Sequence, residues 1–173
     1  LSVLERLRAA LLDEGEPLAG MLRSGPLVNG DRPLGKLAAS GPRAAANPPE
    51  YELLVEAIYE GFLLHYSRPR LFEDIDADFA LLAGDRLYAL GLERLVALGD
   101  LAAVRELADV IALCALLTAR GEGESCAALW LAGAHAVGFG ASPDYVSAKA
   151  LLRNGDRAAG PALAGVISHT ASA

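Results

Sequence analysis

Four carboxylates, Glu73, Asp74, Asp76 and Asp78, fall within six consecutive positions and form the one concentrated acidic group of the chain. Carboxylates that carry magnesium can hold a diphosphate. Acids at the start of a helix are also favoured by its dipole alone, so the same group reads as capping and solvation. Asp85 sits inside an apolar run and is open to three readings: solvated, paired or functional. The three histidines, His65, His135 and His169, are too far apart for a zinc pair one helical turn apart. His65, near the end of an apolar helix, reads as a core histidine with a partner. Cys114 and Cys126 lie twelve residues apart with no histidines beside them, which is no metal pattern. They read as buried, reduced thiols of a cytoplasmic protein. There is no phosphate-binding loop. Gly138-Phe139-Gly140 lacks the fingerprint and the preceding strand of a dinucleotide site. Serines stand at caps and turns, so the residues nominate no catalytic group and no metal ligand.

The element that must position these residues is the stretch Ile75 to Gly99. It has no proline, and Phe79, Leu82, Ala83, Leu87, Leu90 and Leu95 recur at three- and four-residue steps. That spacing predicts a buried helical face, about 35 Å long at the α-helical rise. Asp74 or Asp76 can cap it and Gly99 can end it. Ala77, Gly84 and Gly91 recur every seven residues and would let another helix approach closely.

The rest of the chain reads as further helices. Ser2 and Glu5 form a capping box for a helix that Gly15 and Pro17 end. Breakers crowd 24–47, with a short helix over about Pro33 to Ala39 and three cations, Arg32, Lys36 and Arg43, that read as solvated. Asn47 is expected to cap a helix reaching Ser67, with Leu54, Ala57, Ile58, Gly61 and His65 inward; Pro69 stops it. Asp100 opens a helix to Arg120 with Val104, Leu107, Ala108, Ile111 and Ala115 inward, and Arg105 and Asp109 as an exposed pair. A helix from Ser125 is stopped by Gly138 and Gly140, one from Ser142 runs to Arg153, and a weak one spans Pro161 before a fraying tail.

Composition sets the class. A chain of 173 residues suggests one domain, 1–173. Hydrophobic residues make up 53% and aromatics only 6%, mostly alanine and leucine without alternating β-branched runs. That favours an all-α, antiparallel helical bundle of six to eight helices. The net charge of −7, with no basic cluster, argues against nucleic acid and against docking on anionic lipid. Ala127 to Ala141 is too short for a membrane span and contains His135; Leu101 to Ala119 carries Arg105, Glu106 and Asp109. No transmembrane helix is expected.

Residues 32–119 resemble the trans-type polyprenyl (isoprenoid) diphosphate synthases. LLAGDRLYALGLERLVALGDLAAVRELADVIALCA is similar to the central helix pair of that family. Arg32-Pro33-Leu34 resembles the end of its N-terminal Gly-Lys-x-Arg-Pro motif. Leu64-His65 and Arg68-Pro69 resemble the segments flanking its first aspartate-rich motif. The chain departs where the chemistry lies: Tyr66-Ser67 stands in place of DDxxD, the second DDxxD is missing, and 120–173 diverges.

The resemblance implies part of the isoprenoid-synthase fold. It also implies two functional expectations. The first is a non-catalytic subunit or interaction protein acting through helix–helix association, as a homodimer or with a partner subunit, with Gly84, Gly91 and Leu101–Ala119 as contact elements. The second is an isoprenoid-diphosphate binder or prenyltransferase with a degenerate magnesium site. Its binding candidates are Arg32, Arg68, Arg70, Glu73, Asp74, Asp76, Asp78 and Asp85, and Phe62, Phe79, Leu82 and Leu87 would line an apolar tunnel. Magnesium is implied only in that second case.

Overall fold

The computed structural model describes residues 1–27 and 33–170. Among them lie eight α-helices: α1 (Val3–Glu14), α2 (Leu34–Ala39), α3 (Pro48–Tyr66), α4 (Ala77–Ala97), α5 (Leu101–Ala119), α6 (Cys126–Phe139), α7 (Pro143–Asn154) and α8 (Ala159–Thr170). Single 3-10 turns cover Ala19–Met21, Pro42–Ala44 and Gly123–Ser125. The one extended pairing among the described residues is an isolated antiparallel bridge, Leu22 to Phe72.

Local chemistry explains most helix ends. Ser2 and Glu5 close the capping box on α1. Asp76, Asp100 and Ser142 each accept a backbone N–H three residues on, from Phe79, Ala103 and Tyr145. Asn47 precedes α3 but its side chain makes no capping bond. Pro48 and Pro49 fill the first two helical positions; Pro49 removes one of the two N–H groups a side-chain cap would serve, and the other, on Glu50, donates to the Asn47 carbonyl. Gly155 ends α7 in the left-handed region at φ 66°.

Helices α3 and α4 run antiparallel at very close range, as Gly61 meets Gly84 and Ile58 meets Gly91. A Cβ on Gly91 would lie 2.3 Å from Ile58 Cγ1, and one on Gly84 would lie 2.3 Å from His65 Cδ2. Gly84 and Gly91 of the small-residue stripe are therefore consumed inside the chain, against α3, and offer no surface to a partner, while Ala77 is exposed. Helices α5 and α6 are likewise antiparallel, with Val110 against Gly133 and Cys114 near Cys126.

Two apolar clusters result. The larger joins α3, α5, α6, α7 and α8 around the fully buried Trp130. The smaller places Leu4, Leu7 and Leu11 of α1 against Leu53 and Ala57 of α3 and Leu87 of α4, with Leu71 and Phe72 closing it. Leu82, expected inward, is 70% exposed, while its neighbour Ala83 is buried. The inward face of α5 is also turned from the expected one. Leu107 is buried as expected, but Val110, Leu113, Cys114 and Leu117 complete the face, and Ala108 is exposed. The reason is that Glu106, a residue that periodicity places outside, is paired inside the fold.

Gly138 does not stop α6. It lies within the helix where α2 crosses, and a Cβ there would sit 2.3 Å from the Ala38 carbonyl oxygen. The stop is Gly140, at φ 92°. Gly138→Ala should therefore destabilise the protein by about 1–3 kcal/mol through overpacking. Gly165→Ala, in α8 with open space around it, should stabilise by up to about 1 kcal/mol through helix propensity. Urea denaturation of both variants checks the contrast; equal shifts of the same sign would contradict the packing described.

Candidate functional site

The acidic group of 73–78 is spread across separate tasks. Glu73 pairs with Arg23 at 3.2 Å and accepts the Ser24 N–H at 3.3 Å. Asp74 takes a left-handed backbone, φ 54°, in the connection before α4. Asp76 caps α4, and Asp78 lies exposed in its first turn. Among the described residues no three metal-capable side chains gather. Arg68 is exposed, and Arg32 lies outside the described residues. Asp85, largely exposed on α4, faces His65 with Oδ1 3.2 Å from Nε2. The contact is not aligned as a hydrogen bond: the buried Nε2 has no such partner, and neither do the buried Tyr88 hydroxyl and Trp130 Nε1.

Of the two nominated cations that lie among the described residues, Arg68 stands outside any built arrangement and Arg70 sits in one. Its partners, Glu56 and Glu60, are one turn apart on α3 and are almost wholly buried. Arg70 Nη1 donates to Glu56 Oε2 at 2.7 Å, and Arg70 Nε donates to Glu60 Oε2 at 2.8 Å. The remaining carboxylate oxygens are served by backbone. The Gly35 N–H donates to Glu56 Oε1 at 2.8 Å; the N–H groups of Arg70 and Leu71 donate to Glu60 Oε1 at 2.5 and 2.8 Å. The guanidinium also lies over the Tyr59 ring, 5.2 Å from its centre. Burial works against the charge on Arg70, but Glu60 and Glu56 outweigh it and hold its pKa above the ordinary arginine value. Every oxygen of both acids is engaged, so the cluster has no acid or base free for proton transfer. It is a clamp that binds α2, α3 and the connection into α4.

A second network lies where α5 meets α7. Glu106 accepts from the Tyr145 hydroxyl at 2.7 Å and from Lys149 Nζ at 2.7 Å. Lys149 also lies 2.9 Å from Asp109, which in turn pairs with Arg153. Burial, then Glu106, pushes the Tyr145 hydroxyl far above the ordinary tyrosine range. Burial alone would raise Asp109, yet Arg153 and Lys149 together lower it. The expected Arg105–Asp109 pair is thus replaced by pairing across helices. An open groove of about 610 Å³ lies alongside, lined by Ala102, Arg105, Ala108 and Asp109. Arg43, expected to be solvated, donates to the Val137 carbonyl and to Asp100 at 3.2 and 2.9 Å.

The four tunnel candidates do not line one space. Phe62 belongs to the larger cluster, packed 5.5 Å centre to centre against Trp130. Leu87 is fully buried in the smaller cluster. Only Phe79 and Leu82 share a cavity, about 260 Å³, with Pro17, Leu18, Ala83 and Arg86.

Sequence reasoning missed both polar networks. A signal for the first did exist. Helix α3 is apolar nearly all round, so two acids four residues apart on it leave at least one facing a neighbour, and Arg70 follows ten residues after Glu60, just past the helix end. Nothing local marks Glu106, Tyr145 and Lys149, whose partnership spans some forty residues.

No family model, curated protein or solved structure matches the chain. Among the described residues no helix is long and apolar enough to cross a membrane.

The clamp makes a direct prediction. Arg70→Met leaves two buried carboxylates without their cation and should cost on the order of 3–5 kcal/mol of stability. Arg70→Lys should recover little, because a single ammonium cannot reproduce the guanidinium fork. A loss below about 1 kcal/mol in denaturant unfolding would show that the pair is not held as described.

Proposed function

We propose that this chain is a non-catalytic helical subunit that works by helix–helix association, pairing through the outer face of α4 with a second copy of itself. The observation that carries this reading is a second seven-residue stripe on α4, Leu82, Ala89 and Val96, which points away from α3 and is exposed. Leu82 is 70% and Val96 52% exposed. Apolar residues repeated at heptad spacing on a free helix face are what a partner helix covers. Glu93 flanks that stripe, while Arg86, seven residues before it, is engaged by Glu14 of α1, so what the face offers a copy is the apolar stripe itself. The polar networks support the same reading from the other side, because their carboxylates and cations are spent on each other. Light scattering after size exclusion at micromolar concentration should give about twice the 18.0 kDa chain mass, and the double variant Leu82→Glu, Val96→Glu should return it to the monomer. A wild-type monomer would overturn the proposal.

A second reading, an isoprenoid-diphosphate binding protein, has one observation in its favour. Phe79 and Leu82 line a cavity whose walls also carry Arg86, paired with Glu14, and Glu16. The nominated carboxylates do not assemble a magnesium site there, so this reading predicts binding without chemistry. Farnesyl diphosphate at a hundred times its dissociation constant should add about 2.7 kcal/mol to stability, equally with and without magnesium. No shift in the melting midpoint removes this reading, and a shift that needs magnesium contradicts the separation of the acids.

A further inference from the structure

Cys114 lies near the middle of α5, and Cys126 is the first residue of α6, the antiparallel helix that returns across it. Both are free thiols buried in the larger apolar cluster, 0% and 2% exposed. The Cys126 S–H donates to the Cys114 carbonyl at 3.7 Å. That contact seats the Cys126 sulfur against the backbone of the α5 turn that carries Cys114. A disulfide would thus join two residues that already touch, on helices that the fold holds side by side.

We propose that Cys114 and Cys126 are a reversible dithiol–disulfide pair, oxidised by a small hydroperoxide and covalently linking α5 to α6. The reactive sulfur is Cys126. It is the first residue of α6, where the helix dipole favours a thiolate. The Cys114 thiol lowers its pKa, burial opposes the shift, and the Thr118 hydroxyl assists it. Cys114, wholly buried on α5, is the partner that reacts second. Access is short, because Gly121–Glu124, immediately before Cys126, are exposed.

The step balances as follows. The Cys126 thiol gives up its proton, the thiolate attacks one peroxide oxygen, the O–O bond breaks, and a sulfenic acid and hydroxide form; the hydroxide takes up the released proton as water. The Cys114 sulfur then attacks the Cys126 sulfur, its proton leaves with the departing hydroxide as water, and the S–S bond forms. Two thiols and one hydrogen peroxide give one disulfide and two waters; two electrons pass from sulfur to oxygen.

The test is intact-mass spectrometry of the folded, purified chain after hydrogen peroxide. The expected result is a loss of about 2 Da, the two thiol hydrogens, with a linked Cys114–Cys126 peptide in the non-reduced digest and full reversal by dithiothreitol. In Cys114→Ser the sulfenic acid should persist and be captured by dimedone on Cys126. In Cys126→Ser peroxide should leave Cys114 unchanged. The proposal is overturned if both wild-type thiols still alkylate after peroxide and denaturation, if they oxidise to sulfinic acid without linking, or if dimedone marks Cys114 instead. The wild-type measurement stands alone should either serine variant fail to fold, which circular dichroism reports.

Discussion

Two buried carboxylates on one helix set the terms for the rest of this fold. Glu56 and Glu60 are unfavourable inside an apolar cluster unless each oxygen finds a donor. The donors come from three places that are not otherwise obliged to meet: the start of α2 through Gly35, the connection after α3 through the Arg70 and Leu71 amides, and the Arg70 guanidinium. Satisfying them fixes where the chain turns after Tyr66. That turn seats Leu71 and Phe72 over the smaller cluster and brings the chain back as α4 along α3. The glycines at 61, 84 and 91 then make the close antiparallel contact possible. Removing the acids together with the arginine would be far milder than removing one side, because the penalty lies in the unpaired charge.

The same logic explains why the chain carries so many ionisable groups and so little open chemistry. Glu106, Asp109, Tyr145, Lys149 and Arg153 neutralise one another between α5 and α7. Asp100 caps α5 while accepting from Tyr51 and Arg43, and those bonds outweigh burial to keep its carboxyl below the usual range. Part of the apolar surface is left over as well: the outward stripe of α4, where Leu82 and Val96 are exposed. Our functional reading follows from that surplus.

Helix positions were largely legible in the sequence, because capping chemistry is local. Ser2, Asp76, Asp100 and Ser142 each announce an end three residues in advance. The short α2 could be read from Pro33 and the end of α3 from Pro69. Faces were less legible than ends. Periodicity assigns charge to the outside, so Glu106 turned the expected face of α5, and Leu82 was placed inside beside the residue that is truly buried, Ala83. The candidate site was the least legible part. Arg70 was nominated for a diphosphate, through a resemblance, and is instead held by Glu56 and Glu60. The acids of 73–78 look like a cluster in one dimension, yet a helix cap, an ion pair and a left-handed turn separate them in three.

The account turns on whether the Glu56–Glu60–Arg70 clamp stays closed in the native protein. Native-state hydrogen exchange at the Gly35, Arg70 and Leu71 amides tests this most directly. If the three amides are bound to buried carboxylates, they exchange only with global unfolding, at the same free energy as the core of α3. Arg70 and Leu71 lie in a connection outside any helix, so no helical hydrogen bond can supply that protection for them. Rapid exchange at Arg70 and Leu71, with the α3 core still protected, would contradict the clamp and the fold built on it.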